Sequence, residues 1–87
     1  MKSLVLPSFW EAYRSLDVAL RPRVRKAYRL WVRNPFHPSL RFKCVNRRDN
    51  VWGVRVTHGY RALGVVEGDR IAWFWVGKHD EYERSLG

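Results

Sequence analysis

The stretch VWGVRVTHGYRALGVVEGDRIAWFWVGK, residues 51–78, decides how the rest of this chain of 87 residues is read. Its apolar positions recur every second residue or run unbroken over strand lengths. The runs are parted by His58-Gly59 and by Glu67-Gly68-Asp69, residues that favour turns. VWGVRVT, YRALGVV and RIAWFWV therefore read as consecutive antiparallel strands, and LRFKCV, ahead of the turn-like NRRDN, reads as another. The expected sheet is antiparallel with about four strands. IAWFWV is apolar on both faces and belongs in its interior, covered on one side by helices.

The helices come from the first half of the chain. After a short apolar start, KSLVL, Pro7-Ser8 opens SFWEAYRSLDVAL, where Ser8 and Glu11 have the spacing of a capping box. Phe9, Tyr13, Leu16 and Leu20 give that segment one apolar stripe. Pro22 suits the first turn of a new helix, so RPRVRKAYRLWVRN reads as a second one, ended by Asn34-Pro35. Its apolar face is Val24, Ala27, Tyr28 and Trp31. The fold class is thus α+β, a helical hairpin packed on a twisted antiparallel sheet, and residues 1–87 are expected to form one domain, because two cores would each be too small.

Seventeen Lys and Arg against eight Asp and Glu leave a formal charge of +9, which calls for a polyanionic partner. Nucleic acid, an anionic membrane and an acidic protein all carry the right sign. The longest apolar run, IAWFWVG, is far too short to span a bilayer, and no apolar leader precedes the fold, so we expect a cytoplasmic protein without a membrane partner. The single Cys44 has no second thiol to pair with and no metal-ligand spacing around it; its alternation with Leu40 and Phe42 makes it a small core residue. On the second helix Arg21, Arg25, Arg29 and Arg33 fall four apart with no acid between them. This ladder is either a solvated face or a docking surface for RNA or an acidic partner.

The turn between VWGVRVT and YRALGVV decides where the sheet's cations land. A loop of His58-Gly59 alone pairs Thr57 with Tyr60 and turns Arg55 away from Arg61. A loop of Thr57-His58-Gly59 pairs Val56 with Tyr60 and sets Arg55 directly across from Arg61. Gly59 suits the longer loop, since it can take a left-handed conformation. Two guanidiniums face to face make sense mainly with an anion between them. Arg41 and Lys43 are expected to point outward on their own strand, and Gly53 to let a ligand backbone come close. Taken alone these are ordinary charges on a half-solvated sheet. Past the last strand come Lys78, His79 and Tyr82, and a histidine beside two arginines and a tyrosine is a candidate proton-transfer group.

The order of elements, with HPSLRFK (37–43), VRVTHGYRALG (54–64) and WFWVGKHDEY (73–82), resembles the RelE/ParE superfamily of type II toxin–antitoxin toxins, in its RelE-like branch, over nearly the whole chain. The pattern GYR followed by G-K-H-x-x-Y is the specific part. The resemblance implies a plasmid-stabilisation toxin that enters the ribosomal A site, cuts ribosome-bound messenger RNA and is blocked by a short acidic antitoxin. Such an endoribonuclease inhibits translation and needs no metal and no cofactor. Arg61 matches the family's phosphate-stabilising arginine, Arg55 a basic residue on the preceding strand, Tyr82 a stacking or proton-handling tyrosine, and His79, more loosely, a general base or acid. Lys43, Arg41 and Lys78 are RNA contacts by the same analogy. On this basis Arg61→Ala should abolish toxicity and leave folding largely intact.

The chain departs from the family at Gly53, where the ribosome-dependent members carry a lysine, and in the acidity of Asp80, Glu81 and Glu83. Two other functions share the architecture: ParE-like inhibition of DNA gyrase, with the arginines as protein contacts, and a non-catalytic relative kept for antitoxin binding.

Overall fold

The structure is a computed structural model in which residues 1–81 are described. Along the chain lie β1 (Lys2–Val5), α1 (Pro7–Arg14), a short 3-10 turn (Val18–Leu20), α2 (Arg21–Arg33), a second 3-10 turn (Pro38–Leu40), and β2 (Lys43–Asn46), β3 (Val51–Thr57), β4 (Tyr60–Glu67) and β5 (Arg70–Lys78). The five strands form one sheet in the order β1-β5-β4-β3-β2. Strands β2 to β5 are antiparallel, as the turn chemistry between them requires.

KSLVL supplies the strand that sequence reading left unassigned. Strand β1 runs parallel to β5, with Ser3 beside Ile71 and Leu4 beside Ala72, so the sheet is mixed. It is anchored at both ends by backbone bonds, Lys2 N–H to Asp69 O at 2.8 Å and Leu6 N–H to Trp73 O at 2.9 Å. Parallel pairing joins segments far apart in sequence and leaves no turn signature, which is why periodicity missed it.

Helix α1 is shorter than its apolar stripe. It ends at Arg14, where the Ser15 hydroxyl turns back to Glu11 O, and Asp17 then caps the 3-10 turn by accepting from Ala19 N–H at 2.9 Å. The capping box does not form. Leu6 is the N-cap, Pro7 opens the helix, and Ser8 donates instead to the Phe74 carbonyl at 2.8 Å. Phe74 is the extra residue of a β-bulge: Leu63 pairs with Trp75 and Gly64 with Trp73. That bulge puts Trp73 and Val76 on the helix side of β5 and Phe74 and Trp75 on the other.

The core lies between the helices and the sheet, where Phe9, Val24, Ala27 and Trp31 meet Val54, Ala62, Ile71, Trp73 and Val76. Trp31 packs edge-on to Trp73 at 5.3 Å and to Phe42 at 5.7 Å, the geometry that aromatic quadrupoles favour. A smaller apolar cluster, Val51 and Leu63 with Val45, Val65, Phe74 and Trp75, covers part of the opposite face. Cys44 is half-buried and free, less enclosed than its alternation with Phe42 suggested. It pairs with Trp52 near the open edge of the sheet.

Candidate functional site

The turn between β3 and β4 combines the two registers that the sequence allowed. Thr57 pairs with Tyr60, so the loop is only His58-Gly59, yet Arg55 pairs with Arg61. Val56 is the bulged residue that reconciles them. A left-handed Gly59 was expected to close the longer loop; the only glycine at positive φ among the described residues is Gly68, at 60°. The bulge does what that longer loop was expected to do.

Across the sheet Arg61 also pairs with Gly77, giving one row, Arg55–Arg61–Gly77, on the face turned away from the helices. The next row on that face is Lys43–Gly53–Leu63–Trp75. Lys43 is exposed and completes a patch of three cations within two rows. Arg41 does not join it. It precedes β2, closes the 3-10 turn in a left-handed conformation at φ 48° and is exposed. Lys78 is opposite Tyr60 and, one residue past Gly77, alternates to the helix side.

The two glycines of this face are filled by neighbours. A Cβ at Gly53 would lie 3.3 Å from the Leu63 side chain and 3.4 Å from that of Val45, so the gap expected to admit a ligand backbone is occupied by the chain itself. A Cβ at Gly77 would meet the Trp75 indole at 2.3 Å. Gly77 therefore lets the Trp75 ring lie flat over the strand, beside the position of Arg61.

Arg61 is fixed by the turn it follows. Its Nη1 donates to the carbonyls of Thr57 (2.7 Å), Tyr60 (3.0 Å) and His58 (3.1 Å). A guanidinium held in this way keeps one orientation and adds charge-assisted bonds to the hairpin. Arg61 is thus both a fixed cation and a structural clasp, a second role that sequence reading did not foresee. Beside it, His79 N–H donates to Gly59 O at 2.8 Å, which ties the end of β5 to the turn. The chain is helical from His79 to Glu81, and the His79 ring is half-buried. Tyr82 lies outside the described residues.

The ladder on α2 divides. Arg21 donates to Arg14 O at 2.8 Å and lies over the Tyr13 ring at 5.8 Å, and Arg25 bonds the Tyr13 hydroxyl, so these two hold α1 against α2. Arg29 and Arg33 are exposed. Between α1, α2 and the sheet opens an apolar groove of about 310 Å³, lined by Phe9, Trp10, Tyr28 and Trp31, with Arg25 and Arg29 also on it. Trp10 and Tyr28 stay 44% and 38% exposed, an unusual cost for rings this large unless a partner covers them.

This architecture recurs in solved structures. The YoeB/ParE toxin from Agrobacterium tumefaciens is 21% identical, with a TM-score of 0.69 over 91% of this chain and 99% of that one. The RelB–RelE antitoxin–toxin complex from Methanococcus jannaschii matches at 18% identity and a TM-score of 0.73, over 97% of this chain and 99% of the matched chain. YafQ from E. coli matches at 9% identity and a TM-score of 0.68, over 93% of this chain and 96% of its own. No curated protein matches. At such identities the likeness establishes the fold, a RelE/ParE toxin fold with a mixed sheet. The ParE-like toxin domain matches residues 19–84, which hold α2 and every strand of the basic rows, and the chain therefore belongs to the family of ParE-like toxins of toxin–antitoxin systems.

Proposed function

We propose that this protein is the toxin of a type II module and a ribosome-dependent messenger endoribonuclease. The observation that carries the reading is the bulge at Val56, which sets Arg55 and Arg61 opposite one another in the ladder although a plain hairpin would part them. Like charges in directly opposed positions weaken a strand pair. An anion that bridges the pair offsets that repulsion, and a phosphodiester matches the fork of a guanidinium.

In this reading the messenger's 2′-hydroxyl attacks the adjacent phosphorus, the bond to the 5′-oxygen breaks, and the products are a 2′,3′-cyclic phosphate and a 5′-hydroxyl end. Arg55 and Arg61 hold the non-bridging oxygens as charge gathers on them. His79 and Tyr82 divide the two proton steps, one taking the 2′-hydroxyl proton and the other supplying the leaving oxygen. Lys43 contacts the backbone one row away.

The partner that silences it is an acidic antitoxin. Its amphipathic segment fits the apolar groove between α1 and α2, where Arg25 and Arg29 match its charge and Trp10 and Tyr28 its apolar face. The site of action is cytoplasmic.

The test is the chemistry of the ends. After incubation with translating ribosomes, messenger fragments should carry cyclic phosphates that a phosphatase able to open them renders extendable. Intact messenger together with stalled DNA supercoiling by gyrase would replace this reading with the ParE-like one.

A further inference from the structure

Arg55 belongs to a second constellation on its other side. Strand β2 pairs with β3 only from Val51 to Gly53, so beyond Gly53 that edge of β3 has no strand neighbour among the described residues. A cleft of about 380 Å³ opens there, between α2, the second 3-10 turn and the end of β3. Among the described residues every ionisable group lining it is basic: Arg23 and Lys26 from α2, Arg55 from β3, and His58 from the turn. None of Arg23, Lys26 and Arg55 has a carboxylate partner among the described residues. Thr57 adds a hydroxyl, and its carbonyl accepts from Arg61, so this one residue separates the cleft from the clasped guanidinium. Ser39 also lines the cleft, with its hydroxyl 2.8 Å from His37 Nδ1.

We propose that this cleft holds the phosphate backbone of the RNA strand as it leaves the Arg55–Arg61 row, carried round the open edge of β3 onto α2 with Arg55 as the shared contact. The identity of the polyanion rests on the nuclease reading above. The two grooves flanking α2 differ in what they can take up. An amphipathic peptide must bury an apolar stripe and finds it on the Tyr28–Trp31 side, which is almost wholly apolar, whereas the Arg23–Lys26 side sets cations and hydroxyls among Ala27, Leu30, Leu40 and Val56 and is polar over nearly half of its lining, which suits phosphates better. Arg23 and Lys26 are three apart, one helical turn, and both are exposed. The Arg21–Arg33 ladder, more conspicuous in the sequence, points elsewhere and is half consumed in holding α1.

The experiment measures binding of the full chain to a 2′-O-methyl oligoribonucleotide, which cannot be cleaved, across a range of salt concentrations. The double variant Arg23→Ala/Lys26→Ala is compared with Arg29→Ala/Arg33→Ala, which removes the same charge from another face of α2. If two phosphate contacts are lost, the slope of log affinity against log salt should fall by about 1.4 in the first variant, with a drop in affinity on the order of tenfold or more at low salt, and change little in the second. Equal losses in both variants, no loss in the first, or no binding by the native chain overturns the proposal. Retained RNA binding with lost binding of a polyglutamate peptide overturns it too, in favour of a protein partner. Because the probe cannot be cut, failure of messenger cleavage with an intact salt effect would sink the nuclease reading and leave the cleft's role standing.

Discussion

Arg55 and Arg61 pair directly across the β3–β4 ladder because Val56 bulges out between Arg55 and Thr57. Two like charges are thereby brought to one place on the face away from the helices, with Lys43 on the next row. Their circumstances differ: Arg61 is held by three turn carbonyls, whereas Arg55, at the edge of the row, also lines the cleft beside α2.

Arg55→Ala is the cleaner probe of chemistry for that reason. It removes a cation opposite another cation, so stability should stay within about 0.5 kcal/mol of native or rise slightly. Cleavage should fall on the order of a hundredfold to a thousandfold if Arg55 stabilises the reacting phosphate. Urea unfolding and a messenger-cleavage time course check the two halves separately.

Arg61→Ala should lose both activity and stability, contrary to the expectation from sequence that the fold would be largely indifferent. Losing the charged donor of three turn carbonyls should cost about 1–3 kcal/mol, read as a lower urea midpoint at an unchanged slope. Arg61→Lys keeps the charge but not the fork, and should recover less than half of that loss.

Gly77→Ala tests the packing of Trp75. With the added Cβ at 2.3 Å from the indole, the ring must move, and we expect a loss of about 1–3 kcal/mol with a shift in tryptophan emission. Gly53→Ala meets softer neighbours at 3.3 Å and 3.4 Å and should cost less than about 1 kcal/mol. Equal effects of the two substitutions would contradict the ring's placement over Gly77.

Asn50 clasps the other end of the sheet. It sits at φ 54°, its amide donates to Val66 O, and its side-chain oxygen accepts from Trp52 Nε1 at 3.1 Å. Asn50→Ala should cost about 1–2 kcal/mol, and Asn50→Gly, which relieves the backbone but not the lost bonds, about half as much. Thermal unfolding of the two variants separates backbone strain from hydrogen bonding.

The parts of this molecule that local chemistry determines were legible in its sequence. Period-two runs parted by His58-Gly59 and Glu67-Gly68-Asp69 became β3, β4 and β5, and Pro22 and Asn34-Pro35 bounded α2 within a residue. What escaped was non-local. The parallel pairing of β1, the diversion of Ser8 from its own helix to Phe74, and the filling of Gly53 by Leu63 and Val45 all depend on groups distant in sequence. The site was half legible for the same reason. GYR pointed to the candidate row, but the hairpin admitted two registers, and only the bulge at Val56 decides where Arg55 lies. Arg23 and Lys26 drew no attention because the longer Arg21–Arg33 ladder obscured them.

The most direct test of the central claim is mapping of messenger 5′-ends in a cell-free translation reaction given the purified protein, with and without ribosomes, alongside Arg55→Ala. The account predicts cuts that require ribosomes, carry 5′-hydroxyl ends and largely vanish in the variant. Intact messenger under all conditions, or cuts undiminished in Arg55→Ala, would contradict it and return the Arg55–Arg61 row to a protein-binding or purely structural role.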